Sequence, residues 1–230
     1  MILRALFSIC ALILSLSVHG AVDLTGVWML SGPGTESEIL LTEEGLRIQG
    51  EYDLLADDPS LYCVPASVAR IWANPTALIK IEQTEDHLLI SYELFDLRRD
   101  IPIGDVSVMP GLPSTKNLQG TYFQEMGSSF AHHEGDRLII ESRNHASGYI
   151  RTSRGIPQSE NTITLEELRV EEGMLHIRHT YMDDILFEKP LVLEYSFRLT
   201  DATDVLPYEC TESNYDWFNE LNAKNDGELQ

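Results

Sequence analysis

Four stretches of the chain share one local pattern: Leu40 to Ile48 (LLTEEGLRI), Ile81 to Ile90 (IEQTEDHLLI), Ala131 to Ile140 (AHHEGDRLII) and Leu168 to Ile177 (LRVEEGMLHI). In each, an extended arm meets a short acidic turn, three times with a glycine, and leaves through alternating Leu and Ile. Alternation at period two puts one face of a strand in a core and the other in water, and a glycine between acids reverses the chain. Four such units commit most of the length to antiparallel hairpins. At Glu134-Gly135-Asp136 the glycine supplies the positive φ a turn needs, while the acids stay solvated.

Other period-two runs extend the pattern: Leu24 to Leu30, Ala77 to Ile81, Leu88 to Phe95, Thr162 to Val170, Leu175 to Tyr181 and Leu191 to Leu199. Together they predict roughly ten strands in one all-β domain, an antiparallel up-and-down β-barrel or a sandwich. Leu54 to Pro75 and Arg143 to Glu160, rich in Asp, Pro, Ser, Gly and Asn, read as the longest loops. The tail after Cys210 predicts a short helix over residues 213–223, with Ser213 as N-cap and Trp217 and Leu221 on one face. No interdomain linker interrupts residues 21–230.

Residues 1–20 read differently. Arg4, an apolar run from Ala5 to Val18, then Val18 and Gly20 at positions a signal peptidase accepts, make a secretory leader. The run falls short of the roughly 20 residues that span a bilayer. A mature chain beginning near Ala21 would be periplasmic or secreted. It would retain two of the three cysteines, Cys63 and Cys210, and an even count in an oxidising compartment predicts one structural disulfide.

The formal charge of −21 argues against phosphate backbones and anionic lipid surfaces, so neither nucleic acid nor membrane is expected as a partner. Motifs for a nucleotide, a catalytic serine elbow, an EF-hand or a zinc helix are all missing, so no cofactor and no metal are expected. His132 and His133 are adjacent on one strand arm, face opposite sides and cannot chelate one ion together. On Leu175 to Tyr181, His179 and Tyr181 share the apolar face, and Asp183 continues that parity. These three are the candidates for acid–base chemistry, with a hydrogen-bonded core histidine as the alternative. Glu93 and Glu166 are mid-strand carboxylates that would need Arg70, Arg98 or Arg99 as a partner if they point inward.

Two resemblances add to this reading. Gly26-Val27-Trp28 on the first strand, Arg198 on the last and a helix afterwards are similar to the calycin barrels, the lipocalins among them, which implies Trp28 at the closed end beneath Arg198. Over most of the mature chain the sequence also resembles a group of secreted bacterial proteins without established activity. The matching pieces are Asp23-Leu24-Thr25-Gly26-Val27-Trp28, Leu41-Thr42-Glu43-Glu44-Gly45, Cys63-Val64-Pro65 with Arg70, Tyr92-Glu93, and Met126 to Asp136. His133, Ala131 and Gln158 stand where that group usually has Trp, Gly and His. The combined expectation is a barrel that holds a small, largely apolar molecule lined by Trp28, Tyr92, Glu93, Arg99 and Glu166. The alternatives are a lyase-, isomerase- or hydratase-type enzyme using His179, Tyr181 and Asp183, and an accessory interaction module.

Overall fold

The computed structural model describes residues 21–104 and 109–212. The leader over 1–20 and the expected helix over 213–223 lie outside the described residues. The strands are β1 (Gly26–Leu30), β2 (Thr35–Glu36), β3 (Leu78–Gln83), β4 (His87–Tyr92), β5 (Leu97–Pro102), β6 (Thr115–Asn117), β7 (Ser128–Glu134), β8 (Arg137–Arg143), β9 (Gly148–Arg151), β10 (Ile156–Gln158), β11 (Ile163–Glu171), β12 (Met174–Met182) and β13 (Leu191–Leu199). Three α-helices, α1 (Glu43–Glu51), α2 (Leu54–Asp57) and α3 (Val68–Trp72), lie between β2 and β3.

An eleven-stranded sheet runs β6-β5-β4-β3-β1-β13-β12-β11-β8-β7, with β2 also pairing β13. Its ladders are antiparallel throughout. The two ends of this order approach one another, because Ile103 forms a parallel bridge with Ala131 and Gly104 N–H donates to the Ala131 carbonyl at 2.9 Å. Three of the four acidic turns are hairpin turns: β3–β4, β7–β8 across Gly135-Asp136, and β11–β12 across Glu172-Gly173, where Gly135 (φ +63°), Glu172 (φ +53°) and Gly173 (φ +77°) all take left-handed backbone.

The fourth is not. Thr42 is the N-cap of α1, its hydroxyl accepting from Gly45 N–H, with Glu43 and Glu44 in the first turn where the helix dipole favours negative charge. Gly45 serves close packing here, since a Cβ would come within 2.3 Å of the Leu186 carbonyl oxygen. Two of the expected loops also carry structure. Residues 54–75 hold α2 and α3, and residues 143–160 hold the separate β9–β10 hairpin. In and just before the first of these, Asp53, Asp58 and Ser67 are helix caps, each accepting a backbone N–H at the start of a helical turn.

The core lies on the concave face of the large sheet and takes in α3. Val68, Ala69, Ile71 and Trp72 are all buried with Ile79, Ile81, Ile90, Leu97, Ile177, Leu193 and Phe197. Burying one such Leu, Ile or Val side chain fully stabilises the fold by about 1.5–3 kcal/mol. Trp72 makes edge contacts with Tyr92 at 5.3 Å and Phe197 at 5.5 Å between ring centroids. Trp28 is buried on the same face and donates its indole N–H to the Leu24 carbonyl at 2.9 Å. The guanidinium of Arg198 lies against Met29 Sδ at 3.8 Å, and among the described residues no cation–π contact joins it to Trp28. Cys63 and Cys210 form the expected disulfide, with Cα atoms 5.7 Å apart.

Candidate functional site

Register decides which side chains meet inside the sheet. Ser129 of β7 is opposite Ser142 of β8, Ser142 is opposite Thr164 of β11, and Thr164 is opposite Tyr181 of β12. All four face inward and are fully buried, so this cross-strand row is polar. The adjacent row places Ala131, Ile140, Glu166, His179 and Leu193 side by side on five neighbouring strands. Arg99 enters from β5, where it pairs with Ile90 and Thr115.

Arg99 Nη2 donates to Ser129 Oγ at 3.0 Å and Ser142 Oγ at 2.9 Å, and the two hydroxyls are 2.8 Å apart. The same nitrogen lies 2.5 Å from Glu166 Oε2, in an ion pair with both side chains completely buried. Glu166 Oε1 accepts the Trp72 indole N–H at 2.9 Å and stands 3.7 Å from His179 Nδ1. Burial alone would push the Glu166 carboxyl up. Arg99, His179 and the indole hydrogen bond outweigh it and hold the group below the usual carboxylate range. Burial likewise opposes the Arg99 charge, and Glu166 beside it more than compensates. His179 is pushed down to about 4 by burial, only partly offset by Glu166 and further lowered by Arg99, so its imidazole is neutral at pH 7.

The cluster is under-satisfied. Arg99 Nε and Nη1, Thr115 Oγ1, both ring nitrogens of His179 and Tyr92 Oη make no well-formed hydrogen bond among the described residues, although the Arg99 guanidinium closely approaches the Tyr92 hydroxyl. Buried polar groups are almost always bonded, and each exception calls for water, an ion, a ligand or a catalytic role. Burial drives the Tyr92 hydroxyl well above its ordinary range, so it stays protonated and can donate. His145 extends the polar row towards the β9–β10 hairpin: its Nε2 is 3.2 Å from Thr164 Oγ1 and its Nδ1 3.0 Å from the Glu125 carbonyl, which also accepts from Gln158 Nε2.

The expected site residues divide accordingly. Tyr92, Arg99, Glu166 and His179 come together. Tyr181 is buried one row away, where its hydroxyl oxygen accepts the Ala69 N–H of α3 at 2.9 Å. Asp183 does not join His179, because β12 ends at Met182 and the strand parity lapses there. It caps the next turn instead, accepting from Ser159 Oγ (2.5 Å), Thr162 Oγ1 (2.8 Å) and the backbone N–H groups of Ile185 and Leu186. Glu93 also turns to structure, accepting the Leu78 N–H at 2.8 Å with no arginine partner among the described residues. Trp28 is a core residue whose one polar side-chain atom is taken by the Leu24 carbonyl. Sequence reasoning missed Trp72, Ser129, Ser142 and Thr164; the available signal was a small hydroxyl residue at an inward position on each of three strands. Among the described residues no group of three or more His, Cys, Asp or Glu could hold a metal ion.

No family model matches the chain, and no curated protein matches it. Solved structures with similarity include the fluorescent protein UnaG, at 12% identity and a TM-score of 0.38, covering 77% of this chain and 97% of that one. Zebrafish ileal bile acid-binding protein complexed with cholic acid has 13% identity and a TM-score of 0.39, covering 76% and 98%. Lipid binding protein 8 of Caenorhabditis elegans has 14% identity and a TM-score of 0.37, covering 78% and 99%. At TM-scores below 0.5 these likenesses say nothing of what this chain binds.

Proposed function

We propose that this protein is a secreted or periplasmic β-barrel that binds a small molecule inside the sheet, with an apolar body and a hydrogen-bonding head anchored at Tyr92, Arg99 and His179. The observation that carries the reading is the convergence of unpartnered buried polar atoms on one buried ion pair. Arg99 is already neutralised by Glu166 and His179 is uncharged, so the head group the cluster suits is an uncharged acceptor, such as a carbonyl or hydroxyl, rather than a carboxylate. Trp72, Ile81, Ile90 and Phe197 pack together beside this cluster, so an apolar body would enter by displacing α3 from the concave face. The bridge between Ile103 and Ala131 supports closure of the sheet into a barrel. The disulfide supports an oxidising compartment and, with it, removal of the first twenty residues.

Native mass spectrometry of the mature protein, purified from the compartment to which it is exported, tests the reading. An added small-molecule mass on wild type that is lost from Tyr92→Phe and His179→Leu supports it. A bare mass, before and after incubation with a small-molecule extract, would count against it and favour the interaction module.

A second reading rests on the 3.7 Å approach of His179 to Glu166. A neutral imidazole held beside a carboxylate can take a proton from a bound substrate, which is the chemistry of a lyase or isomerase. Conversion of the retained molecule on prolonged incubation, abolished in His179→Leu, would distinguish enzyme from carrier.

A further inference from the structure

The opposite face of the sheet holds a second concavity that the interior site does not use. Between β1 and β2 the chain follows β13, with Ser31 N–H donating to the Ser196 carbonyl at 2.7 Å and Gly34 packed on Tyr195, and the space beside residues 31–35 and the outer faces of β11, β12 and β13 is a groove of about 390 Å³. Its lining includes Arg137, Arg169 and Arg178, with His176, Glu167 and Glu194 as the other titratable groups apart from Tyr195. Three arginines on one groove stand out in a chain with 16 basic and 37 acidic residues.

Their partners differ. Arg137 is taken by Glu167 at 2.7 Å. Arg178 is opposite both Glu167 and Glu194 in register, yet its contact with Glu194 is long, at 3.7 Å. Arg169 belongs to a cross-strand row without a carboxylate, Arg169–His176–Ser196, closed by a 2.9 Å contact between Ser196 Oγ and His176 Nδ1. Its acidic neighbour, Glu171 at 3.3 Å, is on its own strand and is not part of the groove lining. The side chains of Arg169 and Arg178 remain 52% and 51% exposed.

We propose that this groove binds a small anion bearing carboxylate, phosphate or sulfate groups, with Arg169 and Arg178 as its principal donors. A guanidinium whose carboxylate is distant or displaced to one side can turn its fork to an incoming oxyanion. The volume suits a small ligand. The strongly negative remainder of the protein excludes extended polyanions, so recognition is local and short-ranged.

The test is amide chemical-shift titration of the oxidised mature protein at low ionic strength with inorganic phosphate, sulfate and citrate as separate probes. The probe that saturates at the lowest concentration names the anion class. Saturable shifts confined to β11, β12, β13, the start of β8 and residues 31–36 are expected, weakened at least about tenfold in Arg169→Ala/Arg178→Ala. Arg47→Ala/Arg143→Ala removes the same charge elsewhere and should leave the midpoint unchanged. Arg178→Lys, which keeps charge and fold, should fall between wild type and the double variant. No saturable shift with any probe, or equal weakening in the two double variants, would overturn the proposal.

Discussion

Glu166 and Arg99 depend on each other because neither charge has access to water. Replacing Glu166 with Gln leaves a buried guanidinium without its counter-charge, which costs about 3–5 kcal/mol. The Arg99→Met/Glu166→Leu pair should cost much less than the sum of the single changes, as chemical denaturation of the four proteins would measure. His179 sets a pH window. Its folded value is depressed to about 4 from 6.5, so between those values the unfolded chain binds the extra proton and stability falls as pH falls; above 6.5 its contribution is complete. His145, lowered chiefly by burial, acts in the same direction. Melting temperature should therefore decline between pH 6.5 and 4, less steeply in His179→Leu than in wild type. An unchanged slope would mean that His179 is solvated. Strand parity identified His179 as an inward histidine, but left Arg99 as one of three arginines, with Arg70 and Arg98, that could partner Glu93 or Glu166 if either pointed inward. It did not identify Ser129, Ser142 or Trp72, because which residues face each other across strands, and where a connecting helix inserts, depends on register and tertiary packing rather than on local pattern.

At the scale of elements, one motif had two meanings. Acids followed by glycine make a hairpin turn at Gly135 and Gly173, where backbone φ is positive, and a helix N-terminus at Thr42-Glu43-Glu44-Gly45, where a hydroxyl caps and the glycine permits contact with Leu186. What separates them is the helical spacing of Leu41, Gly45 and Ile48 on the packed side; the Thr before the acids does not, since Thr84 precedes Glu85-Asp86 in the β3–β4 hairpin and its hydroxyl likewise accepts the N–H three residues on. Thr42 also bonds the turn that follows β12: its N–H donates to the Leu186 carbonyl at 3.0 Å and its hydroxyl to the Ile185 carbonyl at 2.5 Å. Thr42→Ala should lower stability by about 1–2 kcal/mol, since both the cap and this link are lost. Asp183 holds the same turn from the other side. Asp183→Ala should lower the melting temperature while leaving retention of the interior molecule intact, whereas loss of retention in a folded Asp183→Ala protein would restore it to the site.

For the whole molecule, the disulfide joins the segment before α3 to the strap that follows β13, 147 residues apart in sequence. In the chain-entropy model such a closure stabilises the fold by roughly 4–5 kcal/mol. Thiol titration of the unfolded, unreduced chain from residue 21 should find no free thiol; two would exclude the bridge. The antiparallel sheet and most of its strands were legible because period-two alternation is local. The meeting of β5 and β7, and the filling of the concave face by α3, were not, because both are settled by contacts between distant parts of the chain. The acidic surface and the buried polar cluster are separate features: the first governs encounters, the second is where the proposed ligand would be held. The most direct measurement is a high-resolution crystal structure of the natively exported protein, read at the Arg99–Glu166 pair. Density for a non-solvent molecule within hydrogen-bonding distance of Tyr92 Oη, Arg99 Nη1 or His179 is the predicted result. Ordered water alone satisfying all of these atoms would contradict the proposed binding function.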